Sequence, residues 1–222
     1  MKWIYYFIFF FLVSCSGSDT FAPVTDISGM EAVPRSGVHR VASGETLYSI
    51  AFRYGLDYRT LAERNNIQPP YTIQKNQLIS LRKSRVHHAA RVAVKNVERE
   101  PEYAVSAWKW PTRGKVIKGF SANNKGVNIA GAEGEAVYAA AAGKVVYSGN
   151  GLRGYGNLII IKHNNVYLSA YAHCRVSLVR DGEWVRKGQK IAEMGSTGTD
   201  TTMLHFEVRK AGKPVDPMML FS

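Results

Sequence analysis

The chain lacks any apolar run long enough to cross a membrane as a helix. Its one sustained run, Trp3 to Val13, covers roughly 15–20 Å against a hydrocarbon core of roughly 30 Å. Following Met1 and Lys2, it reads as a cleavable signal. Acidic residues are also scarce: 17 Asp and Glu face 29 Lys and Arg in 222 residues, a formal charge of +12. Removing the signal takes away only Lys2 and leaves +11 (12 minus 1). Much of the surplus lies in Arg82-Lys83-Ser84-Arg85 and continues through Arg91 and Lys95, which fits either a solvated linker or contact with an acidic polymer or lipid surface. Cysteine is nearly absent, with Cys15 and Cys174 alone. What is present, 45% hydrophobic and 11% aromatic residues, excludes a disordered chain, and the length suits one medium domain plus a smaller one.

Leu12-Val13-Ser14-Cys15 resembles the lipobox of bacterial lipoproteins. The resemblance implies that residues 1–14 are removed, that Cys15 is acylated, and that the chain is held at a membrane through lipid. Ser16 after the cysteine implies sorting to the outer membrane, facing the periplasm. Cys174 is then left without a disulfide partner and reads as a small buried thiol. Nucleic acid is not a partner such a protein would meet. Residues 15–36, rich in Ser, Gly and Pro toward their ends, read as a lipidated N-terminus and flexible tether.

Residues 37–82 have a compact pattern. Val38 to Val41 reads as a strand, and Leu47, Ile50, Ala51 and Tyr54 share one helical face that Gly55 can end. Tyr58, Leu61 and Ala62 mark a second helix, Pro69-Pro70 forbids more, and Leu78 to Leu81 returns as a strand. With Gly44-Glu45-Thr46-Leu47, Asn65-Asn66-Ile67 and Gln77-Leu78, this βααβ order resembles a LysM domain, a module that binds N-acetylglucosamine-containing glycans. The resemblance places the sugar between two loops, with Gly44, Glu45, Thr46, Leu47, Asn66, Ile67 and Gln68 as glycan-binding residues. Lys75-Asn76-Gln77 departs from the family, where Gly commonly precedes Gln, but Asn also tolerates positive φ.

Residues 83–107 read as a basic linker and 108–222 as a larger domain. Here β-type runs at Lys115–Phe120, Ala136–Ala140, Lys144–Ser148, Asn157–His163, Val166–Ala172, Lys190–Met194 and Leu204–Arg209 alternate with glycines. No helical period is sustained, so a mainly antiparallel β domain is expected. His163, beside the turn signal Asn164-Asn165, reads as a surface histidine.

The ordered motifs Trp110-Pro111, Asn124-Lys125-Gly126-Val127-Asn128, Tyr155-Gly156-Asn157, Tyr171-Ala172-His173, Gly195-Ser196-Thr197-Gly198 and Leu204-His205-Phe206-Glu207 resemble the LytM-type (lysostaphin-like) zinc endopeptidases. Active members carry His-x-Gly-x-Asp at the first of the metal motifs and His-x-His at the last. This sequence has Asn124 and Asn128 in the first and Met203 before His205 in the last, with His173 kept. Two neutral amides are poor replacements for an imidazole and a carboxylate on zinc, and methionine cannot carry a proton. The resemblance therefore implies a non-catalytic domain with no cofactor. His163, His173 and Cys174 are not expected to rebuild a metal site.

Lipobox, LysM module, basic linker and degenerate LytM-type domain together resemble the NlpD-like lipoproteins, which activate murein hydrolases. That implies two partners besides the membrane: peptidoglycan, and a periplasmic N-acetylmuramyl-L-alanine amidase activated for cell separation. Asn124, Asn128, Tyr155, Tyr171, His173, Met203 and His205 would form the partner-binding groove. The alternatives are a residual zinc-dependent endopeptidase and a structural lipoprotein linking outer membrane to wall.

Overall fold

A computed structural model describes residues 30–82, 105 and 107–221. Cys15 and nearly all of the basic linker lie outside these residues. The smaller module pairs β1 (Val38–Arg40) with β2 (Leu78–Ser80), antiparallel, Val38 opposite Ser80. Between them lie α1 (Leu47–Tyr54) and α2 (Tyr58–Arg64).

Thr46 starts α1 with a reciprocal cap: its hydroxyl accepts from Ser49 N–H, and Ser49 Oγ accepts from Thr46 N–H. Gly55, at φ 61°, ends the helix in the left-handed region that glycine enters at no steric cost. Asp57 caps α2 by accepting from Arg59 and Thr60 N–H. Leu47, Ile50, Ala51 and Tyr54 are all buried, as their spacing predicts, and pack with Leu61 and Ile79. Asn76 has the positive φ, 69°, that its place in the motif requires. The tether expected to run to Ser36 is already bound to the module from residue 30. Glu31 N–H donates to Arg53 O at 2.9 Å, and Val33 packs on the module's core.

The larger domain is a sheet of ten strands among the described residues. In chain order these are β3 (Val116–Lys118), β4 (Val127–Ala130), β5 (Ala136–Tyr138), β6 (Gly143–Gly149) and β7 (Asn157–Lys162), then β8 (Tyr167–Ser177), β9 (Trp184–Val185), β10 (Lys190–Met194), β11 (Met203–Lys210) and β12 (Lys213–Val215). The main path runs β3-β4-β11-β8-β7-β6-β9, and all its pairings are antiparallel. One face carries the main core, with Val127, Ile129, Ile159, Ile161, Tyr171, Phe206 and Val208. Because side chains alternate along a strand, the other face receives His205, Glu207 and Arg209 from β11 and Ala170 and Ala172 from β8.

That second face is where the small module docks. Phe52, outside the apolar stripe of α1, is 2% exposed because it inserts among Val146, Tyr155, Leu158, Ile160 and Ala170. Its ring meets Tyr155 edge-on at 5.4 Å. Thr46 Oγ1 donates to Val146 O at 3.0 Å, Arg53 to Gly151 O at 3.0 Å and Lys213 Nζ to Gly55 O at 3.2 Å. At Gly212, φ 77°, a Cβ would lie 2.5 Å from Asp57 N and Leu56 O, so the turn after β11 can approach the module only as glycine. Gly212→Ala is expected to loosen the docking by roughly 1–3 kcal/mol through overpacking. Small-angle scattering should then report a larger radius of gyration with unchanged secondary structure; an unchanged radius would show that the turn yields instead.

Candidate functional site

The register between β4 and β11 sets Asn128 directly opposite His205. Asn124 does not sit on that strand but in the turn before it, bridged to Ser121. Gly126 lets this turn lie against β11, since a Cβ there would meet Phe206 O at 2.1 Å. Asn128 and His205 therefore meet, while Asn124 braces the turn that leads into β4. Asn128 Oδ1 and His205 Nδ1 are spent on each other, and the Asn124 amide is fixed through its nitrogen. Asn124 Nδ2 lies 2.8 Å from Gly119 O, 2.9 Å from Gly126 O and 3.4 Å from Lys118 O. It ties three carbonyls of the turn together, with the residue 2% exposed.

His205 is held from both ring nitrogens. The Asn128 amide oxygen is 2.7 Å from Nδ1, and Nε2 lies 3.1 Å from Glu207 Oε1. Tyr155 OH donates to the same carboxylate oxygen at 2.8 Å, while Arg209 contacts Oε2 through Nε at 2.9 Å and Nη2 at 2.8 Å. Burial alone would raise the Glu207 pKa, but Arg209, His205 and Tyr155 together hold it down to about 2. Burial and the neighbouring carboxylate push the Tyr155 phenol well above its ordinary value, so it stays a donor. Arg209 Nη1 then donates to Phe52 O, and the guanidinium carbon stands 3.4 Å over the Phe52 ring. A continuous polar chain thus runs from Asn128 through His205, Glu207 and Arg209 into the small module.

His173 enters from β8, where its φ of 64° and a register shift mark a bulge. Its Nδ1 is 2.8 Å from Thr197 O, and its Nε2 is buried with no partner among the described residues. Its ring lies 6.3 Å from that of His205. Burial lowers its pKa to about 4, with the Thr197 bond opposing and His205 assisting. Met203 at the start of β11 retains 9% exposure.

Tyr171 corrects the groove expected from sequence. It lies on the opposite face, 0% exposed, its hydroxyl accepting from Ala140 N–H at 2.8 Å and bonded to Ser169 Oγ at 2.9 Å. His163 is another correction. The turn signal was right, since Asn164 Oδ1 accepts from Val166 and Tyr167 N–H, but the ring points inward at 2% exposure. There it bonds Ala142 O at 2.8 Å and Ser169 Oγ at 2.7 Å. Cys174 is the expected buried thiol, pushed up to about 12 by desolvation.

His163, like His173, is lowered to about 4 by burial. Below the ordinary value of 6.5 the unfolded chain takes up these two protons before the folded one does. Stability therefore falls as pH drops from about 6.5 toward about 4, by roughly 2–3 kcal/mol per histidine at pH 4.5. Glu207 acts in a lower window, contributing above its unfolded value of 4.5 and losing that contribution toward pH 2. Denaturation at pH 7 and 4.5 checks this; equal midpoints would contradict it.

In the small module, the glycan-binding residues expected from sequence are largely tied down. Glu45 is 3% exposed at its side chain, bonded to His39 Nε2, Arg53 Nη2 and Ala42 N–H at 2.7, 2.7 and 2.8 Å. Leu47 is core. The N–H groups of Glu45, Thr46, Asn66 and Ile67 all donate within the module, so these four amides do not face a ligand. Thr46 reaches the larger domain instead. Gly44 and Asn66 have positive φ of 79° and 55°, and Gln68 O accepts from Tyr71 N–H.

Zinc, the metal implied by a LytM-type fold, does not fit these residues. Asn124 offers only a neutral amide whose nitrogen is tied to the turn, Asn128 Oδ1 is spent on His205, and no group of three His, Cys, Asp or Glu among the described residues is arranged to hold an ion. Fold and site together define a LysM module joined to a peptidase-type domain in which asparagines occupy two of the expected ligand positions. The family models agree: residues 39–82 match the LysM domain and 122–217 match Peptidase family M23.

The chain is 46% identical over 226 residues to "Lipoprotein NlpD/LppB homolog" of Pseudomonas aeruginosa, covering 82% of this chain and 76% of that protein. It is 38% identical over 251 residues to "Murein hydrolase activator NlpD" of Escherichia coli K12, covering 81% of this chain and 66% of that one. The fold of the larger domain is shared with a solved putative peptidase M23 from Pseudomonas aeruginosa, at TM-score 0.50 and 24% identity over 54% of this chain and 53% of that one. The chain belongs to the NlpD/LppB family of lipoproteins.

Arg209 and Phe52 were not singled out from sequence. Polar residues at every second position of β11, His205, Glu207 and Arg209, alternate with Phe206 and Val208, the pattern of a strand with one solvated face; the docked small module buries that face instead.

Proposed function

We propose that the protein is a non-catalytic activator of murein hydrolases. An outer-membrane lipid anchor at Cys15 holds it in the periplasm, the LysM module binds peptidoglycan, and the M23-type domain binds and activates an N-acetylmuramyl-L-alanine amidase. One observation carries the reading: both altered ligand positions serve the fold, Asn124 by bracing its turn and Asn128 by fixing His205. Such a domain keeps its shape without performing hydrolysis, and the relative named as a murein hydrolase activator gives that shape a purpose. Of the expected groove residues, Asn128, Tyr155 and Met203 keep 9, 7 and 9% exposure. The amidase meets these edges together with the surrounding loops. Asn124, His173 and His205 support them from below.

The test mixes purified protein with periplasmic amidases and dye-labelled sacculi. Dye release well above amidase alone, and none from the protein without amidase, is the expected result. Release that never exceeds amidase alone would remove the basis of the proposal, and release by the protein alone would favour a residual endopeptidase.

A further inference from the structure

Docking of the two domains creates a cleft that neither has alone. A cavity of about 280 Å³ lies between the LysM loops 45–48 and 69–73 on one side and residues 144–146, 162, 181 and 182 of the M23-type domain on the other. Its LysM wall presents Tyr48 and Tyr71, edge-on at 6.0 Å, together with Pro69 and Pro70. Its other wall supplies Lys144, half-buried, and Lys162, 6% exposed with Nζ 5.6 Å from the Tyr58 ring centre. The bond from Thr46 Oγ1 to Val146 O fixes the two walls together.

We propose that this cleft extends the glycan site and takes an N-acetylated saccharide that bears a carboxylate. The proposal rests on the glycan-binding reading of the LysM module. Aromatic and proline surfaces suit the apolar faces of sugar rings, and an ammonium group set in a partly desolvated wall suits a carboxylate. Two acidic residues also line the cleft. The Glu45 carboxylate is turned away into its bonds with His39 and Arg53. The Asp181 carboxyl is partly desolvated, which raises its pKa against a bond from the Ser148 backbone, so Lys144 is the ammonium on which recognition of a ligand carboxylate rests.

In peptidoglycan such a carboxylate has two sources. Muramic acid carries one on its lactyl ether once an amidase has removed the stem peptide, and an intact stem peptide carries its own. If the lactyl group is the one bound, the cleft recognises the product of the enzyme that the protein activates.

Binding to the full chain is measured by calorimetry with three probes: a neutral N-acetylglucosamine oligomer, a peptide-free N-acetylglucosamine–N-acetylmuramic acid oligomer of equal length, and the same oligomer with stem peptides. A carboxylate-bearing probe is expected to bind about five- to tenfold tighter than the neutral one at low salt. Most of that advantage should vanish near 1 M salt. Which charged probe binds tighter identifies the source. Lys144→Gln should reduce the advantage, and Lys144→Arg should keep it. Equal binding of neutral and charged oligomers, or an advantage untouched by Lys144→Gln, overturns the inference and leaves glycan binding intact. Failure of all three probes removes the LysM reading as well, while the amidase assay stands apart.

Discussion

Replacing Arg209 with methionine is expected to destabilise the protein by about 3–5 kcal/mol, the cost of leaving a buried charge without its partner. Glu207 is 0% exposed and depends on Arg209 for both contacts to Oε2. Its low pKa follows mainly from that neighbour acting against burial. In the variant, burial dominates, the carboxyl takes up a proton near neutral pH, and the bond with His205 Nε2 weakens. The damage should not stop at the sheet, because the same guanidinium donates to Phe52 O and covers the Phe52 ring. Chemical denaturation should show the loss, and hydrogen exchange should show faster opening of α1 as well as β11. Arg209→Met combined with Glu207→Gln should recover part of the stability, since it removes the orphaned charge but not the gap beside Phe52. A single variant as stable as the wild type would mean that Glu207 finds solvent or another partner.

The parts of this fold that announce themselves in the sequence are those set by local rules. Leu47, Ile50, Ala51 and Tyr54 repeat at helical spacing, Gly55 stops the turn, and both helices form where that pattern lies. The β runs likewise mark most strands. Three kinds of information were not local. Phe52 sits off the helix stripe because its partner is the other domain, and no pattern within 37–82 reveals that. Trp184–Val185 and Lys213–Val215 are too short for alternation, and Pro214 disguises an edge strand. Strand β8 runs on to Ser177 because a bulge at His173 carries the chain past the point where the pattern breaks.

The candidate site divides the same way. The motifs place Asn124, Asn128 and His205 together; the structure sets Asn128 against His205 and holds Asn124 in the turn before β4. What spacing could not show is the second set of duties those residues hold, because it depends on the carbonyls of residues 118, 119 and 126. Tyr171 was assigned to the groove by its neighbour in the motif, yet alternation about the bulge sends it to the other face. His163 illustrates the converse: its turn is visible in the sequence, but its burial depends on Trp108, whose ring lies 5.0 Å away from a distant part of the chain.

Those duties determine what restoring the metal motif would do. Asn124→His with Asn128→Asp returns the residue types of the active pattern beside His205. The metal-free variant is expected to be less stable than the wild type by several kcal/mol. Losing the Asn124 amide leaves carbonyls unpaired at about 1–3 kcal/mol each. The substitution at Asn128 would also place a second carboxylate near His205, which already bonds Glu207. Zinc should then stabilise the variant and not the wild type, by about 2.7 kcal/mol at a hundredfold excess over the dissociation constant. Thermal denaturation with and without zinc reads this directly. Digestion of sacculi should remain poor, because Met203 offers no group able to carry a proton. Amidase activation gives an independent measure. If Asn128 lies at the edge the amidase meets, the zinc-loaded variant activates less well, even as its fold becomes firmer. A variant that binds zinc and digests sacculi efficiently would show that His173 alone can manage the protons; one that ignores zinc would place the block in the turn that Asn124 braces.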